Sequence, residues 1–254
     1  MYSSVIRRIV LAFLVVFPVA LELYAVGPGD PAAVRSGYEA LRDAVYNSET
    51  LASIEASYRD AVDRLDSAGL PEADRELWRS RIEYMVARGY QALEDKKRSV
   101  THYEAGLASL ATLSPDRVSS ESWRMTSECI SQLCLLKGMG YVVANGPKVS
   151  SYAEKALELN PKNAAAQVIV AASKVYPPAM FGGNPKRGVE LMKEALSFGT
   201  ADRDDLFNIY LGTGLAYGKL KNVEEARRWL VMARELYPGN AYARTEYEKL
   251  GERD

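Results

Sequence analysis

Few side chains in this 254-residue chain are of a type that does chemistry. Its single histidine, His102, stands beside Tyr103 in a helical stretch, where a lone imidazole completes neither a metal site nor a nucleophile–base pair. Two cysteines, Cys129 and Cys134, are five positions apart in an apolar stretch that reads as helix. A helical rise over five residues separates their Cα atoms by about 7.5 Å, beyond disulfide reach, so they read as buried inert thiols. The sequence holds no Gly-rich Lys-Ser/Thr phosphate loop, no His-Glu-x-x-His and no Gly-x-Ser-x-Gly. Gly138-Met139-Gly140 has no strand before it and is not a dinucleotide fingerprint. The acidic pairs Asp204-Asp205 and Glu224-Glu225 fall at expected helix starts, where the helix dipole favours negative charge. From these residues no catalytic side chain, metal site or cofactor is expected, and the chain reads as a binding protein rather than an enzyme.

The composition agrees with a packed globular chain: 48% apolar, 26% charged, 18 glycines and 11 prolines. Basic residues (32) match acidic ones (33), which leaves no positive excess for nucleic acid. Residues 1–25 are laid out as an export signal, with Arg7 and Arg8 ahead of an apolar run from Ile9 to Leu21 and a small residue at Ala25. At 13 residues the run is shorter than the roughly 20 that cross a bilayer as a helix. Cleavage after Ala25 and retention as an uncleaved tether are the two readings, and the only membrane contact expected is through that tether or a partner. The mature chain then has 30 basic and 32 acidic residues. Such a signal implies a bacterial source and an exported address, most simply the periplasm, with tethering to the inner membrane or association with the outer membrane as the alternatives.

Internal similarity organises the rest. Residues 156–166 return 77 positions later as 233–243 with seven of eleven identical, among them Ala156/Ala233, Leu159/Leu236, Pro161/Pro238 and Asn163/Asn240. Lys193-Glu194-Ala195-Leu196 echoes Glu154-Lys155-Ala156-Leu157 halfway between, which sets a period near 38 residues, the range of helix-pair solenoids. In the last unit Tyr210, Gly214, Tyr217, Ala226, Leu230, Ala233 and Pro238 stand at separations of 4, 3, 9, 4, 3 and 5. Small residues at Gly214, Ala226 and Ala233 let two antiparallel helices approach, the bulky ones fill the gaps, and Pro238 ends the pair.

On these residues the chain resembles the tetratricopeptide repeat (TPR) family. Weaker copies run upstream. One comprises a helix from about Trp123 to Ala144, with Lys137 at a small site, followed by the stripe Val149, Tyr152, Ala153, Ala156 and Leu157. Another uses Val86, Ala87, Tyr90, Ser99, Tyr103 and Gly106 around a turn at Glu94-Asp95, and the earliest uses Tyr38, Leu41, Val45, Ile54, Tyr58 and Ala61. The expected fold is all-α, a right-handed superhelix (α-solenoid) of about five antiparallel helical hairpins. Residues 26–254 form one domain, with divergent hairpins over 30–112, clearer repeats over 116–254 and a capping helix over 241–250.

The resemblance also implies a concave groove built from the first helix of each hairpin. Carried onto this sequence, its positions are Arg81, Tyr84, Arg88 and Gln91; Ser131, Cys134 and Tyr141; Val170 and Ser173; and Asn208, Leu211, Leu215 and Lys219. A second candidate is the unusual loop Tyr176-Pro-Pro-Ala-Met-Phe-Gly-Gly-Asn-Pro185. Within it Tyr176, Met180, Phe181, Gly182, Gly183 and Asn184 either contact a ligand or, through Met180 and Phe181, plug the hairpin core. Asn184-Pro185 alone reads as a helix start. The expected function is an exported scaffold holding a protein or peptide in its groove within an envelope complex. A solute- or lipid-binding accessory of an envelope transporter is the alternative.

Overall fold

In the computed structural model, residues 29–200 and 202–251 are described; the expected export signal lies outside them. The described residues form eleven α-helices: α1 (Pro31–Tyr46), α2 (Leu51–Ser67), α3 (Glu72–Ala92), α4 (Lys96–Ala111), α5 (Ser120–Lys137), α6 (Met139–Leu159), α7 (Ala164–Val175), α8 (Pro185–Ser197), α9 (Arg203–Lys219), α10 (Val223–Leu236) and α11 (Ala241–Gly251). Consecutive helices pair as five hairpins, α1/α2 to α9/α10, and α11 packs on the last one. The boundaries follow local chemistry. Asp30 caps α1 by accepting from the amides of Ala32 and Ala33, with Pro31 at the first helical position. Asp95, Asn163, Asn184 and Asn222 cap α4, α7, α8 and α10 in the same way.

The repeat positions do in space what their sizes require. Ala226, Leu230 and Ala233 are buried, and a Cβ on Gly214 would come within 2.7 Å of the Leu230 side chain, so only glycine lets α9 and α10 close to this distance. The earlier registers hold too: Glu94 turns at φ 62°, and Ser99, Tyr103 and Gly106 are buried.

The third hairpin departs from the sequence reading. The first helix does not run from Trp123 to Ala144. It stops at Lys137, because Gly138 takes φ 83°, and α6 begins at Met139 with Pro147 inside it. Lys137 is therefore the last residue of α5 and occupies no helix-packing site, and Tyr141 belongs to the second helix. Asn145-Gly146-Pro147 has the composition of a turn, yet the α6 ladder continues past Pro147 at the loss of one hydrogen bond.

One contact was not expected at all. The first hairpin packs against the last. Tyr46 at the end of α1 stacks on Tyr237 (4.8 Å between centroids) and tilts against Phe207 of α9 (4.9 Å). The Asn240 amide donates to the Tyr46 carbonyl at 2.7 Å, and the Gly239 amide donates to Asn47 Oδ1. A Cβ on Gly239 would lie 2.4 Å from the Asn47 carbonyl oxygen, so the two turns meet backbone to backbone. A single apolar core consequently joins α1, α2 and α3 to α9, α10 and α11.

Candidate functional site

The first helices α1, α3, α5, α7 and α9 face inward, and their two ends differ. At the starting end, charged side chains from α1, α3, α5 and the start of α9 meet, with a polar amide from the start of α7. Arg81 on α3 reaches Glu121 on α5 (3.7 Å) and Asp202 before α9 (3.8 Å), while its guanidinium lies over Trp78 and Tyr38. Arg35 pairs with Asp202, and Asn163 at the start of α7 donates to Glu121. One turn deeper, the Tyr38 hydroxyl donates to Asp204 Oδ2 at 2.8 Å in a buried contact, with Arg42 3.8 Å from the other oxygen. Arg124, only 5% exposed at its side chain, bonds both Glu121 and Glu128.

These charges set each other's protonation. Burial raises the Glu121 carboxyl, but Arg124 and Arg81 outweigh it and hold it at about 2. Burial lifts Asp205 to about 7, with Asp204 and Asp202 adding repulsion that Arg124 only partly offsets. Glu128 is also raised by burial, against the pull of Arg124. The sequence reading named Arg81 here but missed Glu121, Arg124 and Glu128. Their 3-and-4 spacing on one helix face was the available signal.

The finishing end is more open. Arg88 on α3 projects between aromatic rings, 5.5 Å from the Tyr46 centroid and 6.0 Å from that of Tyr84, and donates to the Tyr84 hydroxyl at 3.3 Å. Asn208 on α9 donates to the Tyr46 hydroxyl at 3.4 Å. Beyond them a cavity of about 270 Å³ is lined by Tyr176, Leu215, Gly218, Lys219, Tyr242 and Glu246 among others. Lys219 donates to the Tyr176 carbonyl at 3.1 Å and lies over its ring. Burial raises the Tyr242 phenol, with Glu246 adding to the rise and Lys249 and Arg88 opposing it.

Of the sequence-derived groove positions, Leu215 and Lys219 line this cavity, with Tyr176 from the loop, while Arg88 stands against Tyr46 and Tyr84 outside its lining. Asn208 bonds the Tyr46 hydroxyl, Tyr84 packs in the core between α3, α4 and α5, and Leu211 is buried. Other positions lie elsewhere. Gln91 accepts from the Tyr103 hydroxyl across the α3/α4 pair. Val170 packs on the α7/α8 core, and Ser173 donates to the Val170 carbonyl. Tyr141 sits on α6 against the Lys137 ammonium. Ser131 and Cys134 are half-buried on α5. Tyr242 was missed because α11 looked like a simple cap.

The loop after Tyr176 is built by its own backbone. Gly182 has φ 85°, the Gly183 amide donates to the Pro178 carbonyl, and the Asn184 amide donates to the Lys174 carbonyl at 2.7 Å. A Cβ on Gly183 would fall 1.9 Å from the Pro177 oxygen. Asn184 caps α8 through its side chain. Met180 is 83% exposed and does not plug the hairpin, because the short 3₁₀ turn Ala179–Phe181 carries it outward; the Phe181 side chain lies outside what is described. His102 is held against Glu83 at 2.6 Å and stacked on Tyr90, away from this end. Among the described residues no group of three His, Cys, Asp or Glu side chains is placed to hold a metal ion.

The architecture is that of a TPR-like α-solenoid with a closing helix. No protein-family model matches the chain, and no curated protein matches it. Among solved structures it is similar to TTC0263, a thermophilic TPR protein of Thermus thermophilus, at 16% identity and a TM-score of 0.49, over 86% of this chain and 97% of that one. It is also similar to YrrB, described as a TPR protein with an unusual peptide-binding site, at 16% identity and a TM-score of 0.36, over 86% and 98%.

Proposed function

We propose that the chain is an exported, non-catalytic adaptor that holds a segment of a protein partner at the open end of its concave face, within a bacterial envelope complex. The observation that carries this reading is the convergence there of Tyr176, Leu215, Lys219 and Tyr242 from two helices and a loop, a mixed polar and apolar surface with no nucleophile–base pair among them. Export rests on the pattern of residues 1–25. A photo-crosslinking amino acid placed at Leu215, in the full chain expressed in its native cells, tests the adaptor reading. Capture of a defined partner from position 215, absent when the probe sits at exposed Lys97 on α4, supports it. Equal capture at both positions, or none, rejects it.

The 270 Å³ cavity favours a second reading, a small solute as the ligand. That volume is below the usual range for drug-sized ligands and fits a molecule of about a dozen non-hydrogen atoms.

A further inference from the structure

The large apolar side chains that stand exposed among the described residues are gathered rather than scattered. Leu135, Met139 and Val143, at 72%, 75% and 72% exposure, surround the α5/α6 turn, and Tyr176 and Met180 belong to the loop between α7 and α8. Antiparallel pairing of the hairpins puts these two turns and the α9/α10 turn at the same, finishing end. Lys219, bonded to the Tyr176 carbonyl, ties the last two together. The backbone at all three stands clear of the rest of the fold, since a Cβ at Gly138, Gly140, Gly182 or Gly218 meets nothing within 4 Å.

Charge is distributed in the same sense. Residues 129–153, 159–189 and 206–223 contain no aspartate or glutamate, and these stretches run through the three turns. The cations beside the turns are Lys137, Lys174, Lys186, Arg187, Lys219 and Lys221. Lys137 pairs with Glu104 and Arg187 with Glu190, while the four other lysines have no carboxylate at ion-pair distance among the described residues. Glu246, in the neighbouring cavity, is bonded to Lys249. At the opposite end, residues 66–74 between α2 and α3 hold three acids and no cation, and residues 197–205 leading into α9 hold three acids and one cation. A chain of balanced total charge thus has a basic, apolar-tipped end and an acidic one.

Apolar tips among unpaired lysines suit a lipid interface, where the tips enter the acyl boundary and the ammonium groups meet headgroup phosphates. Turns that stand separately in open space meet a deformable surface without needing a partner of complementary shape. We infer that the finishing end docks on an anionic phospholipid bilayer, with Leu135, Met139, Val143 and Met180 entering the interface and Lys174, Lys186, Lys219 and Lys221 facing the phosphates. The contact is peripheral, no helix among the described residues being long and apolar enough to cross a membrane. It goes beyond the adaptor reading and does not depend on it.

The test is co-sedimentation of the chain from Val26 onward, which keeps every described residue and lacks the apolar run of the export signal, with vesicles of phosphatidylcholine alone or mixed with phosphatidylglycerol. Binding to the anionic vesicles should be roughly tenfold stronger than to the neutral ones and should weaken as salt is raised. Met139→Asp combined with Met180→Asp should lower it by about tenfold with the thermal midpoint unchanged, because both side chains are exposed. Lys186→Glu combined with Lys221→Glu should remove the preference for anionic lipid. Leu159→Asp, an exposed apolar position at the end of α6 on the opposite side, should leave binding as it was. No binding to anionic vesicles, equal binding to neutral ones, or the same loss from Leu159→Asp as from the Met139 and Met180 pair overturns the inference. Self-association without vesicle binding, abolished by Met139→Asp, assigns this end to a second copy of the chain and overturns it as well.

Discussion

The two ends of the concave face are built from the same five helices, yet they handle charge in opposite ways. At the starting end each carboxylate is bonded, paired or packed against another charge, and Arg124 is held between two glutamates. At the finishing end Arg88 is set against the rings of Tyr46 and Tyr84, with no carboxylate at ion-pair distance among the described residues. A charge locked between opposite charges cannot change partner without breaking the fold. One surrounded by aromatic faces can accept a new one. The difference separates a structural seam from a binding surface on a single scaffold, and shows why position in a repeat register does not by itself identify a ligand contact.

The sharpest way to break the comparison is at the seam. Arg124→Leu strands Glu128 without its cation and leaves Glu121 only Arg81, and should cost about 3–5 kcal/mol in urea unfolding, whereas Arg88→Leu, which strands no acid, should cost far less. Equal losses would erase the distinction between the ends. Next in size is Asp205. Its folded pKa of about 7 is above the unfolded carboxyl value near 4, so the folded chain holds a proton that the unfolded chain has released. Stability from this group therefore falls as pH rises from about 4 to about 7. Asp205→Asn should flatten that decline and leave the protein more stable by on the order of 2 kcal/mol at pH 7.5, read from unfolding midpoints across pH. Glu121 works in reverse, its contribution being lost as pH falls from about 4.5 toward 2. Tyr38→Phe removes the buried hydrogen bond to Asp204 and should cost about 1–3 kcal/mol. Smallest is Met180→Ser, which should change stability by less than about 0.5 kcal/mol, since the side chain packs on nothing.

The hairpins were legible in sequence because their packing rules are local. Gly214, Ala226, Leu230 and Ala233 meet within one period, and their sizes alone announce the contact. The third hairpin was misplaced where two local signals competed. The expected helix ran on to Ala144, just before the turn-like Gly146-Pro147, but the positive φ at Gly138 made the real stop. Of the residues that line the proposed site, Leu215 and Lys219 stand at register positions. Tyr242 does not, and the place of Tyr46 depends on the first and last hairpins touching. The seam joins residues 160 to 194 positions apart, and nothing in the spacing of Tyr38, Asp204, Tyr46 or Asn240 advertises such a pairing.

That seam changes what kind of polymer the chain is. An open solenoid stores stability in neighbour contacts and can gain or lose a unit at either end with little effect on the remainder. Here the stacking of Tyr46 on Tyr237, and the meeting of Asn47 with Gly239, fix the circumference at five hairpins. Inserting a sixth would force the two faces apart, and removing α9 and α10 would expose the apolar side of α1. The repeat number is thus set by closure, as strand number is in a barrel, and folding must await a contact spanning most of the chain.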